Sequence, residues 1–250
     1  MRTVAPYEEL AEIYDTVMSH IGYDIWMNFI RELCDAHEIV PDTTLDLSCG
    51  TGKTLPYMKD RFGAIYCTDL SITMIKILVE NYPEYRNSTF ISDMGYIPVN
   101  TKFDLILNIQ DSLNYYTETD ALQTHFIDVE RCLQNGGAYI FDFSTEENIK
   151  NNFQNMHELY EDEDYGYERL NTYLPKKRLN ITEFYIWKRN NGEKQQFHEK
   201  HVQKMYSLKQ IEEALLMSPF SRWHFYEDEL LQPASDESER IHVIALKGNG

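Results

Sequence analysis

Leu45-Asp46-Leu47-Ser48-Cys49-Gly50-Thr51-Gly52-Lys53-Thr54 is the stretch that decides the fold. Its apolar start reads as a short buried strand, Gly50 and Gly52 break that pattern, and residues 53–62 restart as a helix. A strand, a glycine corner and a helix form a ligand cradle. Glycine lets the backbone turn sharply and a ligand come close, and the first free N–H groups of the helix offer donors.

Spacing separates the nucleotide sites that share this look. A phosphate-binding P-loop ending in Gly52-Lys53-Thr54 needs glycine at position 47, which is Leu47. The dinucleotide fingerprint needs its third glycine at position 55, which is Leu55. What remains, an acid on the strand followed by Cys-Gly-Thr-Gly, resembles motif I of the class I S-adenosylmethionine-dependent methyltransferases. That cofactor carries no phosphate and needs no phosphate cradle. The resemblance implies cofactor contacts at Asp46, Ser48, Cys49, Gly50, Thr51 and Gly52, with S-adenosyl-L-homocysteine as the product and no metal.

Two further acids follow in order. Residues 64–68 read as a strand ending at Asp69, which stands 17 residues after Gly52, near the distance at which a Rossmann-like unit sets a carboxylate against ribose hydroxyls. The family places its ribose acid here, with Leu70 and Met74 as neighbouring contacts. Ser92-Asp93-Met94 follows the strand-like Phe90-Ile91, where the family sets an acid near the adenine amine and an apolar neighbour, Met94, on the ring. Each acid alone reads more simply as a solvated loop residue. Three at successive strand ends make a specific pattern.

The remaining chain reads as alternating strands and helices: strands 45–48, 64–68, 89–92, 103–109 and 137–143, helices 53–62, 71–82 and 120–134. Ser71 can cap the second helix, and Asn135-Gly136-Gly137 can close the third. The expected fold is α/β: a Rossmann-like, seven-stranded, mostly parallel sheet with helices on both faces. Residues 1–40 read as an N-terminal helical cap, residues 41–143 and 207–250 as the core, and residues 144–206 as an inserted antiparallel sheet or lid. Within that insert, Asn190-Asn191-Gly192 is a hairpin signal. Trp223–Glu227 and Ile241–Leu246 should form a closing antiparallel pair after the helix Ser207–Met217.

Composition narrows the function. The formal net charge of −18 argues against nucleic acid as the main partner, because phosphate binding draws on clustered Lys and Arg. Lys176-Lys177-Arg178 and the acidic run Glu161-Asp162-Glu163-Asp164 read most simply as solvated turns. Cys34, Cys49, Cys67 and Cys132 show neither zinc nor redox spacing. No run approaches the roughly 18 apolar residues of a membrane span, and no basic-then-apolar leader opens the chain, so a cytoplasmic protein is expected.

Acceptor chemistry rests on looser signals. The fourth strand opens into Asn108–Tyr116, at the carboxyl edge where α/β sheets place ligands. The resemblance implies a cofactor contact at Ile109 and an active-site rim around Tyr115. It also implies that Tyr14, in a Tyr-Asp pair of the cap, folds over the cofactor. Glu199-Lys200-His201 is similar to a Glu-x-His element of small-molecule N-methyltransferases and uncharacterised bacterial relatives with the same insert, making His201 a candidate base and Tyr7 and Tyr115 candidate acceptor contacts. The 18 tyrosines suit a small organic acceptor, possibly an amine, because Tyr presents an apolar face and a hydroxyl. A non-catalytic binding module, or an acceptor in RNA or protein, remains the alternative at this stage.

Overall fold

The structure, a computed structural model, describes residues 1–190 and 193–249. In chain order the elements begin with a two-residue strand β1 (Arg2–Thr3), a 3₁₀ turn (Leu10–Ile13) running into helix α1 (Tyr14–Val17), and helix α2 (Tyr23–Ala36). The core then alternates β2 (Thr43–Asp46), α3 (Leu55–Met58), β3 (Ala64–Asp69), α4 (Ile72–Asn81), β4 (Thr89–Ile91), β5 (Phe103–Asn108), α5 (Thr119–Cys132) and β6 (Leu133–Ser144). A short helix α6 (Glu146–Asn148) leads into the insert, β7 (His157–Glu161), β8 (Tyr165–Leu174), β9 (Leu179–Asn190) and β10 (Glu193–Lys204). Helix α7 (Leu208–Leu216) and strands β11 (Arg222–Glu227) and β12 (Arg240–Leu246) complete the chain.

Two sheets result. The core sheet has seven strands in the order β11-β12-β6-β5-β2-β3-β4, with β12 antiparallel to both neighbours and the remaining pairs parallel. This is the expected Rossmann-like α/β fold, closed by the expected antiparallel pair. Strand residues alternate between its faces. Phe141, Phe143 and Val243 pack with Phe126 and Val129 of α5 and Ile211 and Leu215 of α7. Ile140, Ile244 and Leu105 pack with Met27, Ile30 and Leu33 of α2. Helix α2 buries positions 23, 26, 27, 29, 30, 33 and 34, a broad stripe at three-and-four spacing that lies against the sheet.

The second sheet, ordered β1-β10-β9-β8-β7, contains the insert and a strand the sequence reading missed. Arg2 and Thr3 pair parallel with Phe197 and His198 of β10. Residues 1–40 are therefore not one helical cap. Leu10, Ile13 and Val17 pack on Tyr167, Phe184, Ile186 and Phe197 of the insert, whereas α2 packs on the core sheet. Polar residues between the buried ones, and Gly22 at the start of α2, part the two halves.

Two local expectations also change. The helix after the glycine corner is four residues long, not ten, because Thr54 turns its hydroxyl to Asp46 instead of capping and Gly63 already turns the chain at φ +62°. Asn135-Gly136-Gly137 lies inside β6 and does not end α5. Gly136, at φ +78°, marks an irregularity where β6 shifts register against β5. Ser71 does cap α4, accepting the Met74 N–H at 3.2 Å, and Ser207 forms a reciprocal capping box with Gln210. Glu193 pairs with Asn190 across the β9–β10 hairpin, while the turn residues Asn191 and Gly192 lie outside the described residues.

Candidate active site

The parallel strands β2, β3, β4 and β5 end around a cavity of about 730 Å³, the size of a site for a small organic ligand. Strand order reverses between β2 and β5, the switch point where open α/β sheets leave a crevice. Its wall is built from Asp46 and Ser48–Thr51 after β2, Asp69–Met74 after β3, Ser92–Met94 after β4, and Ile109 and Gln110 after β5. Tyr7, Tyr14, Tyr23 and Tyr115 close the other side.

The glycine corner is held by the acid of the next strand. Asp69 Oδ2 accepts the Gly50 N–H at 3.0 Å and Oδ1 accepts the Ser71 N–H at 2.8 Å, so one carboxylate ties the two loops together. Gly50 sits at φ +54° with open space where a Cβ would project. Gly52 (φ +83°) turns away from the cavity, and a Cβ there would meet Leu55, Leu78 and Tyr82 at 3.0–3.1 Å. Its α-carbon sits in the packing under the corner. Asn108, fully buried, accepts from Ser48 Oγ at 2.9 Å and points its amide at Met94 Sδ, fixing two wall residues from beneath.

Asp46 is the strained member. Its Oδ2 accepts from Thr54 Oγ1 at 2.9 Å, but Oδ1 is buried with no partner among the described residues. Burial pushes its carboxyl up to about 6, against an ordinary aspartate near 3.9. A raised folded-state pKa means that stability from this group is fully present below about pH 4 and is lost as pH rises through 6, by roughly 3 kcal/mol. Asp46→Asn is therefore expected to raise the melting temperature of the ligand-free protein at pH 7.5 by several degrees. The gain should shrink below pH 5, and thermal unfolding at the two pH values without such a trend would contradict the assignment.

The N-terminal segment is strapped over the cavity. Glu199, with no exposed surface, accepts the Tyr7 N–H on Oε2 at 2.7 Å and the Glu9 and Leu10 N–H groups on Oε1 at 2.7 and 2.8 Å. Ser71 Oγ donates to the Tyr7 carbonyl at 2.7 Å, Thr51 Oγ1 to Asp15 at 2.6 Å, and Tyr14 OH to Gln110 Oε1 at 3.2 Å. Each bond joins the segment to a different core or insert loop.

A hydrogen-bonded chain runs beneath this strap. Tyr7 OH lies 2.7 Å from Tyr115 OH, Tyr115 OH lies 2.7 Å from His201 Nδ1, and His201 Nε2 lies 3.3 Å from Glu199 Oε2. Burial pushes the Glu199 carboxyl up, but His201 and the amides of Leu10 and Glu9 outweigh it and leave it below the usual carboxylate range. An ionised Glu199 only accepts, so His201 carries its proton on Nε2 and accepts from Tyr115 on Nδ1. Burial raises both tyrosine hydroxyls above their ordinary pKa, keeping them protonated.

A smaller chamber of about 160 Å³ adjoins the first and shares Tyr7, Tyr14, Gln110 and Tyr115 with it. Its far wall is the inserted sheet, including Arg169, Phe184, His201 and Gln203. Of the expected residues, all but Gly52 and His201 line the larger cavity, and His201 lines the smaller. Leu70 is exposed at the rim, while Met74 and Ile109 are buried in the wall. Asp15, Gln110 and the anchoring work of Glu199 went unseen in the sequence, since their partners lie 36, 96 and about 190 positions away.

Residues 44–137 match the methyltransferase domain family. Over that span the chain is similar to methyltransferase domains. It is similar throughout to class I S-adenosylmethionine-dependent methyltransferases, as its motif I suggested. YqeM of Bacillus subtilis (strain 168), named as a candidate methyltransferase, is 29% identical over 96% of this chain and 97% of its own. A structure of an S-adenosylmethionine-dependent methyltransferase from Clostridium acetobutylicum superposes with a TM-score of 0.81 at 26% identity, covering 96% of this chain and 98% of that one. The sugar N-methyltransferase KedS8 from a Streptoalloteichus species shares the fold at a TM-score of 0.73 and 16% identity, over 94% and 92% of the two chains. The matched span covers the corner, both following acids and the β5 loop. The cavity suits the cofactor of this superfamily: Asp46 offers a lone buried oxygen for an ammonium group, and Gly50 leaves open space at the corner.

Proposed function

We propose that the chain is an S-adenosylmethionine-dependent methyltransferase acting on a small-molecule acceptor, with the cofactor in the larger cavity and the acceptor in the smaller. The observation that carries this reading is the shared wall. Tyr7 and Tyr115 line both spaces and are hydrogen-bonded in series to His201. In this reading Asp46 meets the cofactor's ammonium, Asp69 its ribose hydroxyls and Asp93 its adenine amine, while Met94 and Ile109 flank the ring. When bound, S-adenosylmethionine supplies an activated methyl carbon, whose bond to sulfur breaks with the electron pair kept by sulfur as the acceptor's lone pair forms the new bond.

The protein's part is position, dryness and the acceptor's proton. With Tyr7 donating to Tyr115 and Tyr115 to His201 Nδ1, the free lone pairs of Tyr7 face the shared wall and can take that proton. Two successive transfers carry it to His201, whose cation is then paired with buried Glu199. A short tyrosine relay lets a buried histidine act as base without touching the acceptor. The net charge of −18 and the small volume of the second chamber favour a small acceptor over RNA. Tyr115→Phe is expected to slow S-adenosylhomocysteine formation by on the order of 10²-fold while leaving cofactor affinity unchanged. Loss of cofactor binding instead would assign Tyr115 to the cofactor and not to the acceptor.

Calorimetric titration with S-adenosylmethionine, S-adenosylhomocysteine and, as control, NAD tests the cofactor assignment. Saturable binding of both sulfur nucleosides without NAD binding supports it, and a metabolite panel scored by S-adenosylhomocysteine release then tests catalysis. Binding of NAD alone would replace this reading with a dinucleotide one.

A further inference from the structure

Arg169 stands out on the wall of the smaller chamber. It lies on β8, and its guanidinium carbon sits 5.6 Å from the ring centres of both Phe153 and Phe184. Its Nε is buried and has no hydrogen-bond partner among the described residues. Its Nη1 lies 3.7 Å from Glu158 Oε2, a long ion pair that leaves Nε untouched, while Glu158 Oε1 accepts from Tyr167 OH at 2.7 Å. The other arginine on the wall, Arg240, is held by Asp111 and Asp142 and has little charge to spare. Neighbouring polar groups are also occupied: Asn171, Asn180 and Thr182 hydrogen-bond one another.

Strand register places Arg169 on the same sheet face as the relay. Arg169 pairs with Phe184, which pairs with Glu199, and the adjacent row is Asn171, Thr182 and His201. Arg169 is thus two strands and one row from His201. The wall also carries apolar side chains, Val17, Met18, Ile149, Phe153 and Phe184, beside the mutually bonded Asn180 and Thr182. A space of about 160 Å³ has the bulk of one six-membered ring, since an engineered cavity of about 150 Å³ holds benzene.

We propose that this chamber takes a small organic acid as the methyl acceptor, its carboxylate held by Arg169 and its apolar body by Phe153 and Phe184. A half-buried guanidinium whose buried Nε–H is free asks for an acceptor-only group, and a carboxylate matches its planar fork. The nucleophile at the other end of such a molecule then faces Tyr7 and Tyr115. This inference rests on the cofactor reading proposed above.

The test is a titration of the protein saturated with S-adenosylhomocysteine, using benzoate, benzamide and phenyl phosphate as probes of equal ring size. Benzoate should bind saturably and at least tenfold more tightly than benzamide, and Arg169→Gln should remove that preference while keeping S-adenosylhomocysteine affinity. Equal binding of benzoate and benzamide, or a preference untouched by the substitution, would overturn the proposal. Phenyl phosphate binding as tightly as benzoate would overturn the choice of carboxylate. The benzoate comparison on the unaltered protein stands even if Arg169→Gln does not fold. Failure of S-adenosylhomocysteine itself to bind would remove the cofactor reading, whereas saturation by it without benzoate binding would remove this inference alone.

Discussion

Asp69→Ala is expected to weaken S-adenosylhomocysteine binding by about 5- to 150-fold, from roughly 1–3 kcal/mol for a lost buried acceptor. Two effects act together. The carboxylate is the partner assigned to the ribose hydroxyls, and it also receives the Gly50 and Ser71 amides, so its removal frees the glycine corner from the start of α4. Burial pushes the Asp69 carboxyl up against the pull of those amides. Asp69→Asn separates the two effects, because an amide oxygen can keep one N–H but not both. Calorimetry should rank wild type above Asn above Ala. Equal affinities in all three would sink the ribose assignment.

Glu199→Ala should cost the most stability of any change proposed, roughly 3–5 kcal/mol, because several N–H donors lose a charged acceptor at about 1–3 kcal/mol each. For a chain of this size that is a fall of about 10 °C in melting temperature. Three backbone N–H groups lose their acceptor and His201 loses its orienting partner at once. Because the folded Glu199 carboxyl lies below its ordinary pKa, its contribution is present above about pH 4.3 and fades as pH falls through the folded value. The gap between wild type and Glu199→Ala should therefore narrow in acid. Hydrogen exchange at Tyr7, Glu9 and Leu10 should rise in the variant, and unchanged protection there would mean that the strap is held by something other than Glu199.

The two substitutions probe parts of the site that differ in how they can be read. Asp69 was legible because a strand end, a glycine corner and a fixed interval along the chain are local properties. Glu199 was visible only as half of a loose Glu-x-His element. Nothing near it in sequence shows that it caps a segment some 190 residues earlier. The same holds for β1, whose two residues carry no strand period and pair only because β10 presents an open edge. The short α3 was misjudged for a related reason: apolar residues at 55, 58 and 62 keep helical spacing, but Gly63 and the diversion of Thr54 to Asp46 end the regular helix early.

What this sequence determined by itself is the order of strands and helices, the glycine corner and the three acids at strand ends, because alternation, glycine placement and capping act over a few residues. Only the tertiary structure decided which residues share a chamber. The Tyr7–Tyr115–His201–Glu199 chain and the unpartnered Nε of Arg169 join four stretches far apart in the chain. Contacts of that kind depend on how two sheets and a strap meet, and local spacing carries no record of it.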